Sequence, residues 1–202
     1  MAFYYTDGTT ARQHNAGVIF GEGKVTTGTS YVDLRYDQAR SAGFGYFTLD
    51  LSGIKCDSAE FVLRGLSSAN TPSTAGTYQG YYAHGEGGGE INASTSGASN
   101  NHDSFRLTGG RDGSSSGRYF GFFRVFIAYP VDSSITDING ARPNVWWQGT
   151  MRLSGTSASS VAGGGVNTGS MNYGIRIGTD DGTTNWILGS YVLTGYKEGG
   201  QF

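Results

Sequence analysis

One stretch of the chain decides its fold class: residues 118–129, which read RYFGFFRVFIAY. Alternate positions form an apolar set: Tyr119, Gly121, Phe123, Val125, Ile127 and Tyr129. The intervening positions are mixed: Arg118, Phe120, Phe122, Arg124, Phe126 and Ala128. Because successive side chains of a β-strand point to opposite faces, the pattern predicts a long central strand, buried on one side and partly covered on the other.

The same period of two recurs along the chain, whereas helical periodicity is nearly absent. It is found in residues 46–51, 147–153 and 172–177, and further strands are expected around residues 17–20, 31–36, 60–66, 77–83 and 105–108. The single segment with a helical alternative, residues 33–42, reads equally well as a strand followed by a turn. Roughly ten short strands separated by turn residues predict an all-β fold, an antiparallel β-sandwich of jelly-roll type.

The C-terminal stretch predicts a β-hairpin. Residues 186–188 and 191–193 are apolar runs, and Gly189-Ser190 between them is a two-residue loop with glycine first, as a type II′ turn requires. Leu-x-Gly also recurs at expected strand ends, which could suggest propeller blades. No other residue repeats in step with it, so the chemistry of glycine at strand ends is the preferred explanation.

Length and composition are typical of one folded domain. The chain has 202 residues, of which 35 are glycine and 13% are aromatic, and the aromatic share argues against a disordered chain. We expect a single domain over residues 1–202, with residues 1–16 as an N-terminal arm. Three Gly/Ser/Thr/Ala/Asn-rich segments, residues 67–76, 85–101 and 154–170, are predicted to be long surface loops.

Charge and targeting signals limit the function classes. A formal net charge of −2 gives no electrostatic case for binding nucleic acid or an anionic membrane. The first residues lack the basic and apolar regions of a signal peptide, and no run approaches the ~20 apolar residues that cross a bilayer. One cysteine, Cys56, precludes an internal disulfide, so we expect folding in a reducing cytosol.

Signals for catalysis or metal binding are weak. The three histidines, His14, His84 and His102, lie in separate segments without metal-ligand spacing, so no metal or cofactor is expected. Cys56 has no nearby base that would make it a nucleophile, and phosphate-loop and His-Glu-x-x-His motifs are absent from the sequence.

Two acidic pairs are the only catalytic candidates. Asp132 with Asp137, or Asp180 with Asp181, could supply the two carboxylates of a glycoside hydrolase. The turn chemistry of aspartate explains both pairs better, because its side chain bonds to its own backbone.

The aromatic residues are the main candidates for contact with a ligand or subunit. Adjacent strand residues face opposite ways, so one of Trp146 and Trp147 is core and the other points outward. Trp147 shares a face with Met151 and Leu153, which assigns it to the core and leaves Trp146 as the exposed candidate. An outward tryptophan stacks on a sugar, enters a subunit interface, or packs under the 154–170 segment. Two further candidates in the Tyr-rich 78–84 segment are Tyr81 and Tyr82.

The C-terminal sequence resembles virion proteins of tailed bacteriophages. The matching stretches are YGIRIG at residues 173–178 and GSYVLTGYK at residues 189–197. In that family an Ile-Arg-Ile-type strand leads to a Gly-Ser/Thr turn and a closing strand, and Thr194 here stands where tyrosine is more usual. The Gly/Ser/Thr/Asn/aromatic composition is similar to that of tail fibres, receptor-binding tips and head-decoration proteins. The resemblance implies no catalytic residues.

We therefore expect a non-enzymatic virion structural protein, either tail fibre or receptor-binding tip, or capsid decoration. Its expected partners are copies of itself, as a trimer, other virion proteins and a host cell-surface glycan. Neither nucleic acid nor membrane insertion is expected. The alternatives are a lectin-like carbohydrate-binding module and, less favoured, a polysaccharide hydrolase.

Overall fold

The computed structural model describes residues 3–6, 11–14, 17–25, 29–36, 43–56, 60–68, 71–73, 78–86, 91–94, 103–108, 120–129, 143–152, 158–167, 171, 173–180 and 186–197. Most of these residues lie in β-strands and none lies in a helix. The strands are β1 (Phe3–Thr6), β2 (Ala11–His14), β3 (Val18–Val25), β4 (Tyr31–Arg35), β5 (Phe44–Cys56), β6 (Phe61–Leu66), β7 (Tyr78–Glu86), β8 (Ile91–Ser94), β9 (Phe105–Arg106), β10 (Phe120–Ala128), β11 (Asn144–Arg152), β12 (Ala158–Asn167), β13 (Gly174–Thr179) and β14 (Trp186–Lys197).

Two antiparallel sheets pack as a sandwich, which confirms the predicted all-β class. The larger sheet has eight strands in the order β3-β14-β5-β10-β11-β12-β7-β8, and the smaller has four in the order β4-β13-β6-β9. Strands β1 and β2, within the expected N-terminal arm, pair with each other in a separate two-stranded sheet. Residues 33–35 belong to β4, so the strand alternative holds for that part of the 33–42 segment.

Strand β10 is central, as its sequence predicts. It pairs with β5 on one side and with β11 on the other. Its alternate residues Phe123, Val125 and Ile127 are buried between the sheets, whereas Phe122 and Arg124 are exposed. Burial of an aliphatic or aromatic side chain stabilises the fold by about 1.5–3 kcal/mol, so this apolar set fixes which face of β10 points inward.

Aromatic contacts between the sheets build the core. The ring of Phe61 in β6 lies 6.0 Å from that of Phe123, and Phe105 in β9 lies 5.8 Å from Trp147 in β11. At one end of the sandwich the buried Tyr129 hydroxyl donates to the carbonyl of Met171 at 2.8 Å. These contacts join strands that are distant in sequence.

Two of the predicted loops contain strands, so that part of the loop prediction is wrong. Strand β12 lies within residues 154–170 and pairs with β11 and β7, and β8 lies within residues 85–101 and pairs with β7. Val161 of β12 is buried in the core. The composition of β12 carries no hydrophobic pattern, but neighbouring strands on both sides satisfy its backbone hydrogen bonds.

The predicted type II′ hairpin at Gly189-Ser190 is also wrong. Strand β14 runs through these residues without a turn and pairs with β3 and β5. Gly189 has φ +153° and lies at a register shift between β14 and β5, so it forms a bulge. The preceding YGIRIG segment belongs to β13 in the four-stranded sheet. The two resembling segments therefore lie in different sheets and do not form a closing hairpin.

Candidate functional site

The candidate site lies on the outer face of the eight-stranded sheet, over the four adjacent strands β11, β10, β5 and β14. The inward positions of these strands are filled by core residues, including Trp147, Val125, Leu49 and Leu193. The alternate positions must point away from the four-stranded sheet, because side chains alternate along a strand. This face therefore presents a surface whose chemistry is set by residues outside the core.

Four aromatic residues cross this face from strand to strand, and we call them the outer aromatic row: Trp146, Phe126, Tyr46 and Tyr196. The ring centroids of Trp146 and Phe126 are 4.6 Å apart, those of Phe126 and Tyr46 are 6.2 Å apart, and those of Tyr46 and Tyr196 are 5.3 Å apart. The planes of the first two pairs are inclined by only 32° and 23°. The rings therefore contact one another as a continuous row.

Cross-strand register explains why the row forms. Trp146 is directly opposite Phe126, and Tyr46 is directly opposite Tyr196. Tyr46 and Phe126 are diagonal neighbours, since Phe126 is paired with Thr48. Directly opposite and diagonal aromatic side chains are within contact distance in an antiparallel sheet, and each such pair adds roughly 0.2–1 kcal/mol of stability.

A polar group lies beside the row, two residues along β11 and β10 from Trp146 and Phe126 and four residues along β5 from Tyr46. Arg124 is opposite Asp50 on one side and Gln148 on the other. The Arg124 guanidinium donates two hydrogen bonds to the Asp50 carboxylate, Nε to Oδ1 at 2.5 Å and Nη2 to Oδ2 at 3.1 Å. Gln148 is exposed beside this pair. The group presents planar amide, guanidinium and carboxylate functions to solvent.

On this face the charges of Arg124 and Asp50 compensate each other. Hydrogen bonds and charge from Asp50 hold the pKa of Arg124 above its usual value, so the guanidinium keeps its charge beside the carboxylate. Burial, and then the neighbouring Tyr196, raises the pKa of Tyr46. Tyr46 therefore remains a neutral phenol at ordinary pH.

The structure bears out the predicted exposure of the tryptophan pair. Trp146 is 42% exposed and ends the outer aromatic row, whereas Trp147 is 2% exposed in the core. Strand β12, which falls in the 154–170 segment, lies beside Trp146 and places Gly164 opposite it. Trp146 is therefore not a core residue. Residues 158–167, the described part of the 154–170 segment, form a neighbouring strand and not a loop over it.

The other two candidates, Tyr81 and Tyr82, lie in β7. Tyr81 is paired with Gly164, the same residue of β12 that is paired with Trp146. Tyr82 is paired with Gly163, which is paired with Trp147. The side chains of Tyr81 and Tyr82 lie outside the described parts of the structure.

Sequence reasoning missed three members of the row: Phe126, Tyr46 and Tyr196. Alternation marks Phe126 and Tyr46 as belonging to the less buried faces of their strands, and this signal could have nominated them. Their meeting with Tyr196 depends on the pairing of β5 with β10 and β14, which the local sequence does not encode.

Most of the catalytic candidates fall outside the parts of the chain that the structure describes. Asp132, Asp137, Asp181 and His102 lie outside the described residues, as do the side chains of His14, His84 and Cys56. The carboxylate of Asp180 accepts a hydrogen bond from the backbone N–H of Glu60 at 3.1 Å. This bond links the residue after β13 to the residue before β6. Across the described ranges, no cluster of three or more His, Cys, Asp or Glu residues could hold a metal ion.

The described strands and turns include no helix with the length and hydropathy needed to cross a membrane. Comparison with known protein families, with curated proteins and with solved structures gives no match to this chain.

Proposed function

We propose that the protein is a non-enzymatic structural component of a bacteriophage particle, part of a tail fibre or receptor-binding tip or of a capsid decoration, and that it attaches through the outer aromatic row. The observation that carries this proposal is the row itself, which ends in the half-exposed Trp146. Apolar groups gathered on a surface and bordered by polar residues are typical of interaction sites. Aromatic residues are also enriched in such interfaces.

The particle context is supported by the sequence. The YGIRIG and GSYVLTGYK segments resemble those of tailed-phage virion proteins in sequence, although here they lie in different sheets and form no closing hairpin. One cysteine among 202 residues suits a protein that folds without disulfides before release. Particle proteins attach through many weak contacts, because repetition raises the effective concentration of each binding event. A shallow row of rings suits weak contacts of this kind.

Self-association into a trimer is part of the same proposal. Strand β3 lies at one end of the eight-stranded sheet, and its residues Val18 and Ile19 are 48% and 56% exposed. Edge strands with exposed apolar residues pair readily with other chains. Burial of this edge by a neighbouring copy would remove that exposed surface.

A second candidate function is a lectin-like carbohydrate-binding module without a particle. It is favoured by one observation, the position of Trp146 beside Gln148 and the Arg124–Asp50 pair. Both functions use the same face. They differ in whether the protein is found in purified particles.

The test uses particles of a phage that encodes this chain. Mass spectrometry of purified particles should detect the protein, and its absence would refute the particle role. Particles carrying Trp146→Ala should adsorb to host cells or retain the protein about tenfold less well, as expected for an interface residue worth more than ~1.4 kcal/mol. Tyr173→Ala is the matched control, because Tyr173 is 39% exposed and belongs to the turn before β13 in the other sheet. Equal behaviour of both variants would exclude the row as the attachment surface.

A further inference from the structure

Trp146 occupies one end of the outer aromatic row, and its two sides differ. On the β10 side its ring lies against Phe126 with a centroid distance of 4.6 Å. On the β12 side the paired residue is Gly164, which has no side chain and is itself buried, and Ala162 on the same face of β12 is exposed. The exposed 42% of Trp146 therefore belongs to a ring that has an aromatic neighbour on one side and small residues on the other.

The polar group beside Trp146 still has hydrogen-bonding capacity. A guanidinium has five N–H donors and a carboxylate about four acceptor sites, and the two bonds between Arg124 and Asp50 use only part of each. The side chains of this pair are 46% and 35% exposed. Gln148 adds an amide that both donates and accepts. A bound molecule can therefore reach donors and acceptors on β11, β10 and β5, which lie within two strand spacings of the ring and two residues along the strands.

The charge of this group selects the kind of ligand. Arg124 and Asp50 neutralise each other, so a charged ligand gains little net attraction. An apolar protein surface would bury the ion pair, and desolvation of paired charges costs more than their attraction returns in many cases. A molecule with an apolar ring face and several hydroxyl groups satisfies both the indole and the polar group, because hydroxyls donate and accept without net charge.

From this arrangement we infer that Trp146, Gln148 and the Arg124–Asp50 pair bind an uncharged oligosaccharide. The sugar ring would lie against the Trp146 indole, and its hydroxyls would bond to Gln148, Arg124 and Asp50. The inference rests on the proposed function, since it names the ligand of the attachment face. The row crosses four strands, or about 14 Å at the usual strand spacing, so several linked sugars fit better than one.

Affinity electrophoresis of the full chain tests this inference. The protein is run in native gels that contain starch, mannan or a β-glucan as neutral probes, and dextran sulfate as a charged comparison. Wild-type protein should be retarded by at least one neutral probe, and Trp146→Ala should weaken that retardation about tenfold or more. Trp146→Tyr keeps an aromatic ring and should retain most of the binding. Tyr173→Ala should behave as wild type.

Salt and a second polar variant sharpen the result. Binding of a neutral sugar should be unchanged between about 0.15 M and about 1 M salt, because no net charge is screened. Gln148→Ala, an exposed change that leaves the core intact, should also weaken binding. Retardation by dextran sulfate alone, or binding that disappears at high salt, would overturn the assignment to an uncharged sugar.

The remaining outcomes separate this inference from the attachment proposal. Particles that contain the protein and depend on Trp146 for adsorption, together with no retardation by any neutral probe, would overturn the sugar assignment alone. A change in oligomeric size for Trp146→Ala, with retardation intact, would make the face a subunit interface and overturn it as well. Retardation that is lost only in Trp146→Ala and Gln148→Ala supports it.

Discussion

At the scale of single residues, buried tyrosines join parts of the chain that are far apart in sequence. Tyr78 of β7 is fully buried, and its hydroxyl oxygen accepts a hydrogen bond from the backbone N–H of Gly65 in β6 at 2.6 Å. Its ring meets that of Phe105 edge-on at 5.0 Å. One side chain thus connects a strand of the eight-stranded sheet to both β6 and β9 of the smaller sheet.

The protonation of Tyr78 gives a pH-dependent prediction. Burial is the main cause that raises the pKa of Tyr78 to about 12 from its ordinary value of 10.0. The unfolded chain loses this proton near pH 10 and the native protein only near pH 12. The neutral hydroxyl therefore makes its full contribution to the free energy of unfolding below pH 10. Between those values the free energy of unfolding should fall by about 1.4 kcal/mol per pH unit from this group.

The measurement is urea unfolding from pH 8 to pH 12 for wild type and Tyr78→Phe. The variant should be about 1–3 kcal/mol less stable at pH 8, because the Gly65 N–H loses its acceptor. The difference should shrink above pH 10. A difference that stays constant up to pH 12 would contradict the raised pKa, and Tyr173→Phe serves as the exposed control.

Tyr129 gives a second prediction at this scale. Its hydroxyl lies 3.0 Å from that of Tyr36 and donates to the Met171 carbonyl, all in buried surroundings. Tyr129→Phe should lower the free energy of unfolding by about 1–3 kcal/mol, since buried polar groups lose a partner. Chemical denaturation measures this change, and an unchanged midpoint would show that the buried bonds do not stabilise the native state.

At the scale of strands, the sequence predicts the faces of an element better than its partners. Alternation in β10 predicts its buried face because both faces have distinct chemistry. The same logic separates Trp146 from Trp147. It fails for β12, whose glycines, alanines and serines form a strand only because β11 and β7 lie on either side of it. The outer aromatic row likewise depends on the register between strands, which no local pattern encodes.

Gly189 shows why the C-terminal hairpin prediction failed. A glycine that tolerates positive φ suits a type II′ turn and a strand bulge alike, and long-range pairing to β3 and β5 decides between them. An added Cβ would lie 2.5 Å from Cδ1 of Ile54 at φ +153°. Gly189→Ala should therefore destabilise the fold by about 1–3 kcal/mol or more.

Ser190→Ala is the neighbouring control for Gly189→Ala. It removes a solvent-exposed hydroxyl contact to Ser52 and should change the stability by less than about 0.5 kcal/mol. Thermal unfolding of the two variants compares them directly. Similar melting temperatures for the two variants would contradict the conclusion that the bulge requires glycine at position 189.

Two cross-strand ion pairs provide a further comparison between strands. Arg176 of β13 donates two hydrogen bonds to Asp33 of β4, at 2.7 Å and 2.8 Å, and this pair is more enclosed than Arg124–Asp50. The Arg176 guanidinium also lies 3.8 Å from the centroid of the Tyr31 ring. Double-mutant cycles should give a coupling of about 0.2–1 kcal/mol for Arg124–Asp50 and about 2 kcal/mol for Arg176–Asp33. The reverse order would contradict the difference in burial.

At the scale of the whole molecule, the two outer faces of the sandwich have different chemistry. The four-stranded sheet carries ion pairs, Arg176–Asp33 and Arg64–Asp103 among its described residues. The eight-stranded sheet carries the outer aromatic row beside one compensated ion pair. An all-β sandwich follows from alternation along the chain, whereas the difference between its faces emerges only when the strands are paired. This difference is the reason why we propose the outer face of the eight-stranded sheet as the attachment surface.

Hydroxyl-radical footprinting read by mass spectrometry tests this claim most directly. The oxidation of Trp146 and Tyr173 is compared between the free protein and intact particles bound to host envelope. Trp146 should be oxidised severalfold less in the bound particles, while Tyr173 keeps the oxidation level of the free protein. Equal oxidation of Trp146 in the two states would contradict attachment through the outer aromatic row.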